Sequence, residues 1–270
     1  MESQKYKILR HSYQGPSLGI CLSGGGARGI AHTGVLQALE ENGIYPSVLS
    51  GASAGAIVAC LYAAGKRPAE ILKIFKDSSL LKLFRLSVPA SGISDNGYIM
   101  EVLKQHIAAD DFAALEIPLF VSVTNFTRGR LEILHEGPLF EVIAASSSIP
   151  VLFKARKMGE DMYVDGGVLN NLPVEALKGR CEFVLGVNVT PVFPVSPPEK
   201  LLDAGYRAFD LVLWANVEER LKQCDFVIEP GAQVYGLFEI SKADQIYQAG
   251  YDAAMRQMPD LLKKLERQRN

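Results

Sequence analysis

Three groups of residues in this sequence have the types and spacing to do chemistry. Gly24, Gly26 and Gly29 satisfy G-x-G-x-x-G, Gly51-Ala52-Ser53-Ala54-Gly55 satisfies G-x-S-x-G, and Asp165 stands directly before Gly166-Gly167. A glycine loop that opens a helix leaves backbone N–H groups free to meet an anion, either a phosphate or an oxyanion developing during a reaction. G-x-S-x-G between a strand and a helix is a nucleophile elbow, a sharp turn whose small flanking residues leave the serine hydroxyl exposed. Random order of this composition yields about 0.14 such matches, so the pattern alone is moderately specific and gains weight from its position after a strand. Asp-Gly-Gly at a strand end is either a structural turn or a projecting carboxylate. A dinucleotide reading of the glycine loop lacks its ribose partner, because residues 49–53, where the second strand ends, contain no carboxylate.

A serine nucleophile needs a proton acceptor. The histidines are His11, His32, His106 and His135, and none follows position 135, whereas serine triads on α/β sheets run Ser, Asp/Glu, His along the chain. His32 falls on the helix after the glycine loop and reads as a packing or capping residue, and no turn recommends His106 or His135. Asp165 is better placed, at the end of the short strand Met162 to Val164.

The elements that must position these residues follow from apolar periodicity. Leu18 to Leu22 reads as a strand leading into the glycine loop, and Ile30 to Asn42 as a helix stopped by Gly43. Val48 and Leu49 form a second strand, Gly51 to Gly55 a turn, and Ala56 to Ala64 an apolar helix, so the strand-loop-helix unit repeats. Runs at Leu119 to Thr124, Arg130 to His135 and Glu182 to Val189 read as further strands, and Met158 to Asp161 as a hairpin turn. The fold class is α/β, a mostly parallel sheet covered by helices on both faces. Residues 1–270 form one domain without internal repeats, with Pro191, Pro194, Pro197 and Pro198 marking a loop between strand and helix.

Composition narrows the class of partner. Hydrophobic residues make up 48% of the chain, which suits a large core and argues against disordered, collagen-like and low-complexity readings. Twenty-eight Lys+Arg against 30 Asp+Glu leave a net charge of −2, without the basic field that nucleic-acid binding needs. Cys21, Cys60, Cys181 and Cys224 have neither zinc spacing nor disulfide density and read as reduced thiols; metal-ligand pairs of the H-E-x-x-H kind are absent. No signal-peptide pattern occupies the N-terminus, and the uncharged stretch 44–65 is broken by Pro46 and several Gly and Ser, so the expectation is a cytoplasmic protein without a membrane span. From Lys66 to Arg85 basic residues exceed acidic ones by 4, and apolar residues continue to Val88. Basic and apolar side chains together suit peripheral membrane contact through 78–88, or a lid or acyl-chain wall; the ordinary alternative is a helix with its apolar face in the core. The apolar helix Tyr251 to Leu265 packs within the chain or across a dimer.

Taken together, the blocks Gly24-Gly25-Gly26-Ala27-Arg28-Gly29 with His32 and Gly34, Gly51 to Gly55, Ala145 to Pro150 (ASSSIP) and Asp165-Gly166-Gly167 resemble the patatin-like phospholipase family, in its order and spacing across about residues 17–175. The resemblance implies a Ser-Asp dyad with Ser53 as nucleophile and Asp165 as base, an oxyanion hole from the Gly24, Gly25 and Gly26 loop with Ala54, a lipid acyl ester as substrate, and no cofactor or metal. Arg28 orients the glycine loop, meets a lipid phosphate, or forms an ordinary surface ion pair. The functional expectation is a serine lipid acyl hydrolase, with a catalytically silent lipid-binding protein or an acyltransferase to an acceptor other than water as alternatives. In a dyad no imidazole carries the proton, so His106→Gln and His135→Gln should each retain ester hydrolysis within about tenfold. A loss as deep as that of Ser53→Ala in folded protein would replace the dyad by a triad.

Overall fold

A computed structural model describes residues 15–77, 95–194, 197 and 201–269. The stretch 78–88, expected to touch membrane, lies outside the described residues. Its upstream neighbour is a helix with Ile71, Ile74 and Phe75 in the core, which matches the ordinary alternative for that part.

The strands are β1 (Leu18–Leu22), β2 (Val48–Ala52), β3 (Leu119–Asn125), β4 (Arg130–Leu134), β5 (Arg156–Met158), β6 (Asp161–Asp165), β7 (Phe183–Val187) and β8 (Phe226–Ile228). The helices are α1 (Ala31–Glu41), α2 (Ala54–Ala63), α3 (Pro68–Asp77), α4 (Tyr98–His106), α5 (Leu139–Ser146), α6 (Leu201–Leu221) and α7 (Ala243–Arg269). Successive residues of a strand point to opposite faces, and the two cores divide accordingly. Leu18, Ile20 and Leu22, Leu119, Val121 and Val123, and Phe183, Leu185 and Val187 enter a large core with α1 to α5 and α7. Their alternates Cys21, Phe120 and Val184 enter a small core closed by Leu172 to Leu177 and by Val217 of α6. β1, β2, β3 and β7 are buried on both faces, and β1 and β7 are accordingly continuous runs without a polar side chain.

The sheet order is β5-β6-β3-β2-β1-β7-β8, with β4 also on β3. From β3 to β8 neighbours along this path are parallel, and β4, β5 and β6 are antiparallel to their partners. β3 holds the key to the site. Its residues Val121 to Asn125 pair with β4 along one edge. On the other edge Leu119 to Ser122 pair with β2, and Val123 to Asn125 pair with β6. The end of β2 and the end of β6 therefore meet head to head beside β3, Ala52 opposite Ser122 and Asp165 opposite Val123.

Two expectations change. β2 runs on through Ala52, so the turn expected over Gly51 to Gly55 shrinks to Ser53. The helix expected after the proline loop is α6, β8 follows it, and α7 begins at Ala243 rather than near Tyr251. Among the described residues no helix is long and apolar enough to cross a membrane.

Helix α1 lies close against α7. A Cβ added to Gly34 would strike the backbone of Tyr247 and Tyr251, whereas one added to Gly205 in α6 meets open space. Gly34→Ala should cost about 1–3 kcal/mol of stability by forcing the helices apart. Gly205→Ala should gain up to about 1 kcal/mol from helix propensity. Urea midpoints of the two variants check the pair, and equal effects would contradict the close crossing.

Candidate active site

Ser53 is the single residue between β2 and α2, and the turn it must make is severe. Its backbone lies at φ 51 and ψ −126, a left-handed conformation that a non-glycine residue adopts at a cost of about 1–3 kcal/mol. The surroundings hold it there. Its N–H donates to Ser146 Oγ at 2.9 Å, that hydroxyl donates to Ser122 O at 2.8 Å, and its carbonyl accepts from Ile57 N–H at 3.1 Å. Gly55 must be glycine because a Cβ would strike the carbonyls of Leu22 and Ser23. The result is a hydroxyl that leaves the helix start and points along the sheet edge toward β6.

There it meets Asp165. Ser53 Oγ donates to Asp165 Oδ2 at 2.6 Å, and Gly167 N–H donates to Oδ1 at 2.7 Å. The backbone of Asp165 is pinned as well, its N–H donating to Ser148 O at 2.9 Å and its carbonyl accepting from Thr124 Oγ1 at 3.0 Å. Burial is complete, and removal from water pushes the carboxyl up to about 7 against the opposing pull of the Ser53 and Gly167 hydrogen bonds. The dyad expected from sequence is thus brought together, across 112 positions of chain.

The glycine loop lies on the other side of Ser53. Gly25 and Gly26 line the same cavity as Ser53 and Asp165, and their N–H groups have no acceptor among the described residues. Gly24 departs from the expected donor set. Its N–H is already taken, by Asn171 Oδ1 at 3.1 Å and Asn171 O at 3.3 Å, so it braces the loop instead of facing a ligand. Ala54 opens α2, where the first N–H groups of a helix have no partner within it.

Arg28 is neither a surface ion pair nor open to a ligand here. It is 5% exposed, with Nε donating to Tyr235 O at 2.7 Å and Nη1 to Asp210 Oδ1 of α6 at 3.0 Å. His32 is structural, as expected. Its Nε2 lies 2.8 Å from Ser23 O, which can only accept, so Nε2 carries the proton. Burial pushes this histidine down to about 4, keeping it neutral. His106 lines a groove with Lys66 and Glu70, and His135 packs edge-on against Phe120 with ring centroids 4.9 Å apart.

Two contributors were not singled out from sequence. Ser146, inside the ASSSIP block, supports the strained turn. Asn171 ties the glycine loop to the segment after Asp165, and its Nδ2 donates to Thr190 Oγ1 at 3.1 Å. The signal for Asn171 is an Asn pair just after Asp-Gly-Gly, which reads as loop until its burial is known.

A family model described as patatin-like phospholipase matches residues 20–178. An uncharacterized NTE family protein of Mycobacterium tuberculosis is 28% identical over 97% of this chain and 50% of its own, so the chain spans about half the length of that relative. Lysophospholipase NTE1 of Mycosarcoma maydis is 28% identical over 89% of this chain and 15% of its own. Among solved structures, VipD from Legionella pneumophila shares the fold with a TM-score of 0.61 and 17% identity, covering 92% of this chain and 67% of that one. Human GIVD cytosolic phospholipase A2, solved with methyl gamma-linolenyl fluorophosphonate, shares it with a TM-score of 0.52 and 12% identity, covering 98% and 62%. The family model spans more than half of the chain, through the elbow, the glycine loop and the Asp165 turn alike, and the chain belongs to the patatin-like phospholipase family.

Proposed function

We propose that this protein is a serine hydrolase of lipid carboxylic esters that works through a Ser53–Asp165 dyad. The observation that carries the reading is the 2.6 Å hydrogen bond from a serine at a strained elbow to a fully buried carboxylate. Ser53 Oγ attacks the ester carbonyl carbon as its proton passes to Asp165 Oδ2, and the carbonyl electron pair moves onto the oxygen. The N–H groups of Gly25, Gly26 and Ala54 receive that oxyanion, with the start of α2 adding its positive dipole end. Collapse breaks the bond to the leaving alcohol, which takes the proton from Asp165. Water then attacks the acyl-serine with Asp165 again as base, freeing the acid and restoring Ser53. A lipid substrate is favoured by family membership and by the relative named a lysophospholipase. Arg28 becomes an anion contact only when Asp210 leaves it.

A base near neutrality answers the weakness of an ordinary aspartate, whose value near 3.9 leaves little drive for proton removal at pH 7. Only ionised Asp165 is the base, so hydrolysis of a soluble short-chain ester should be full above about 7 and fall as pH drops through it. An acid limb near 4 would remove burial as the tuning device. The same burial opposes folding. The unfolded chain releases the Asp165 proton near 4 and the folded chain near 7, so stability declines as pH rises between the two and the full cost is present above about 7. Asp165→Asn should therefore melt above the native protein at pH 8, by roughly 1–3 kcal/mol in stability, and show no such advantage at pH 4. Equal melting shifts at both pH values would mean that ionised Asp165 carries no penalty.

The direct test is a fluorophosphonate probe with the adduct mapped by mass spectrometry. Labelling at Ser53, abolished in Ser53→Ala and strongly slowed in Asp165→Asn, is the expected result. A folded protein labelled elsewhere, or not at all, would return the chain to a silent lipid-binding role.

A further inference from the structure

Among the described residues the space above Ser53 is narrow. No water-sized sphere fits between its walls, which Phe209 and Leu213 of α6 form together with Leu237 and Ile149. An acyl chain reaches the serine only when these walls part. The helix is held down by polar contacts on its inner side: Asp210 to Arg28, Asn216 Oδ1 accepting from Asn171 N–H at 2.7 Å, and Asn216 Nδ2 donating to Gly167 O at 2.8 Å.

The outer side of the same helix is unlike a water-facing surface. Between Ala204 and Val217 the formal charges are Arg207 and Asp210, and both are satisfied on the protein, Arg207 by Phe193 O at 3.0 Å. What faces outward is Gly205, Ala208, Leu211, Val212 and Ala215, at helical spacing, with Leu211 46% and Val212 42% exposed. Val234, 71% exposed, is a further apolar residue open to solvent, on the segment whose Tyr235 and Leu237 carbonyls hold Arg28 and Ala27. A helix apolar on both sides belongs where both sides are covered. Asp203, Glu218 and Glu219 flank the stripe, which carries no exposed cation.

We propose that the outer face of α6 is a docking surface for an uncharged or zwitterionic lipid bilayer, and that entering the bilayer draws Phe209 and Leu213 off Ser53. The choice of a bilayer rests on the lipid ester reading, since this face is the roof of that site; a second copy seated there would cover the approach to Ser53 and hold the roof down. Glu219 is paired with Lys222 at 2.6 Å, and a stripe without an exposed cation of its own offers nothing to bind anionic headgroups.

The experiment uses the full chain and phosphatidylcholine vesicles. Leu211→Ser/Val212→Ser should lower flotation with vesicles by about tenfold. Vesicles should speed fluorophosphonate labelling of Ser53 by about fivefold in the native protein and leave the double variant unchanged. Without vesicles the two proteins should label within about twofold of each other and melt alike. Unchanged flotation, or an apparent size that halves in the double variant, overturns the proposal. If the double variant melts lower, Ala208→Glu, which puts a charge on the same face with no truncation, decides: flotation lost at native melting temperature supports docking, and flotation retained overturns it. Absent Ser53 labelling in every sample, with flotation lost in the variants, would sink the hydrolase reading and leave the docking face standing.

Discussion

One hydrogen bond between two groups that water no longer reaches sets the terms for the rest of the molecule. A serine hydroxyl and a carboxylate at 2.6 Å need no elaborate fold in solvent, but holding the carboxylate dry while it still ionises near neutrality does. The surrounding protein supplies this with very few charges. Asp165 faces a hydroxyl and a backbone N–H, both of which favour its ionised form, and everything else that touches its environment argues for the neutral one. The balance between those two pulls leaves it near neutrality, where the proposed base must work. Strain at Ser53 belongs to the same arrangement, because an elbow without positive φ would direct the hydroxyl away from β6.

The geometry is delivered by β3. Because β2 and β6 share one edge of it, end to end, neither residue of the dyad depends on a long loop for its position. Rigid strand ends place both groups, and the Ser148 carbonyl and the Thr124 hydroxyl hold the backbone of Asp165. Asn171 performs the equivalent service for the glycine loop by occupying Gly24 N–H, which leaves the next two peptide groups to face the cavity. Oxyanion donors that are aimed in advance do not have to reorganise during reaction.

The parts of this design that were legible from sequence are those with a local cause. Unbroken apolar runs mark β1 and β7 because each is buried on both faces, and Gly-x-Ser-x-Gly marks the elbow because only small residues fit it. The census of histidines left Asp165 as base, and its turn residues announced its place. Gly24 misled as a donor because a glycine motif shows where backbone is exposed, not which N–H is already satisfied by a residue 147 positions away. Helix α6 was legible only as the element that follows the proline loop, without bounds. With apolar residues on both of its sides it has no polar stripe to mark a period, and the same property makes its outer surface notable.

The pairing of β1 with β7 has a consequence for how such a chain is made. β1 is central, yet its second neighbour begins at Phe183, so about 160 residues must follow β1 out of the ribosome before that edge is closed. Until then β1, β2 and β3 present a nascent sheet whose leading strand is apolar on both faces and unpaired along one side, the kind of edge that recruits other chains.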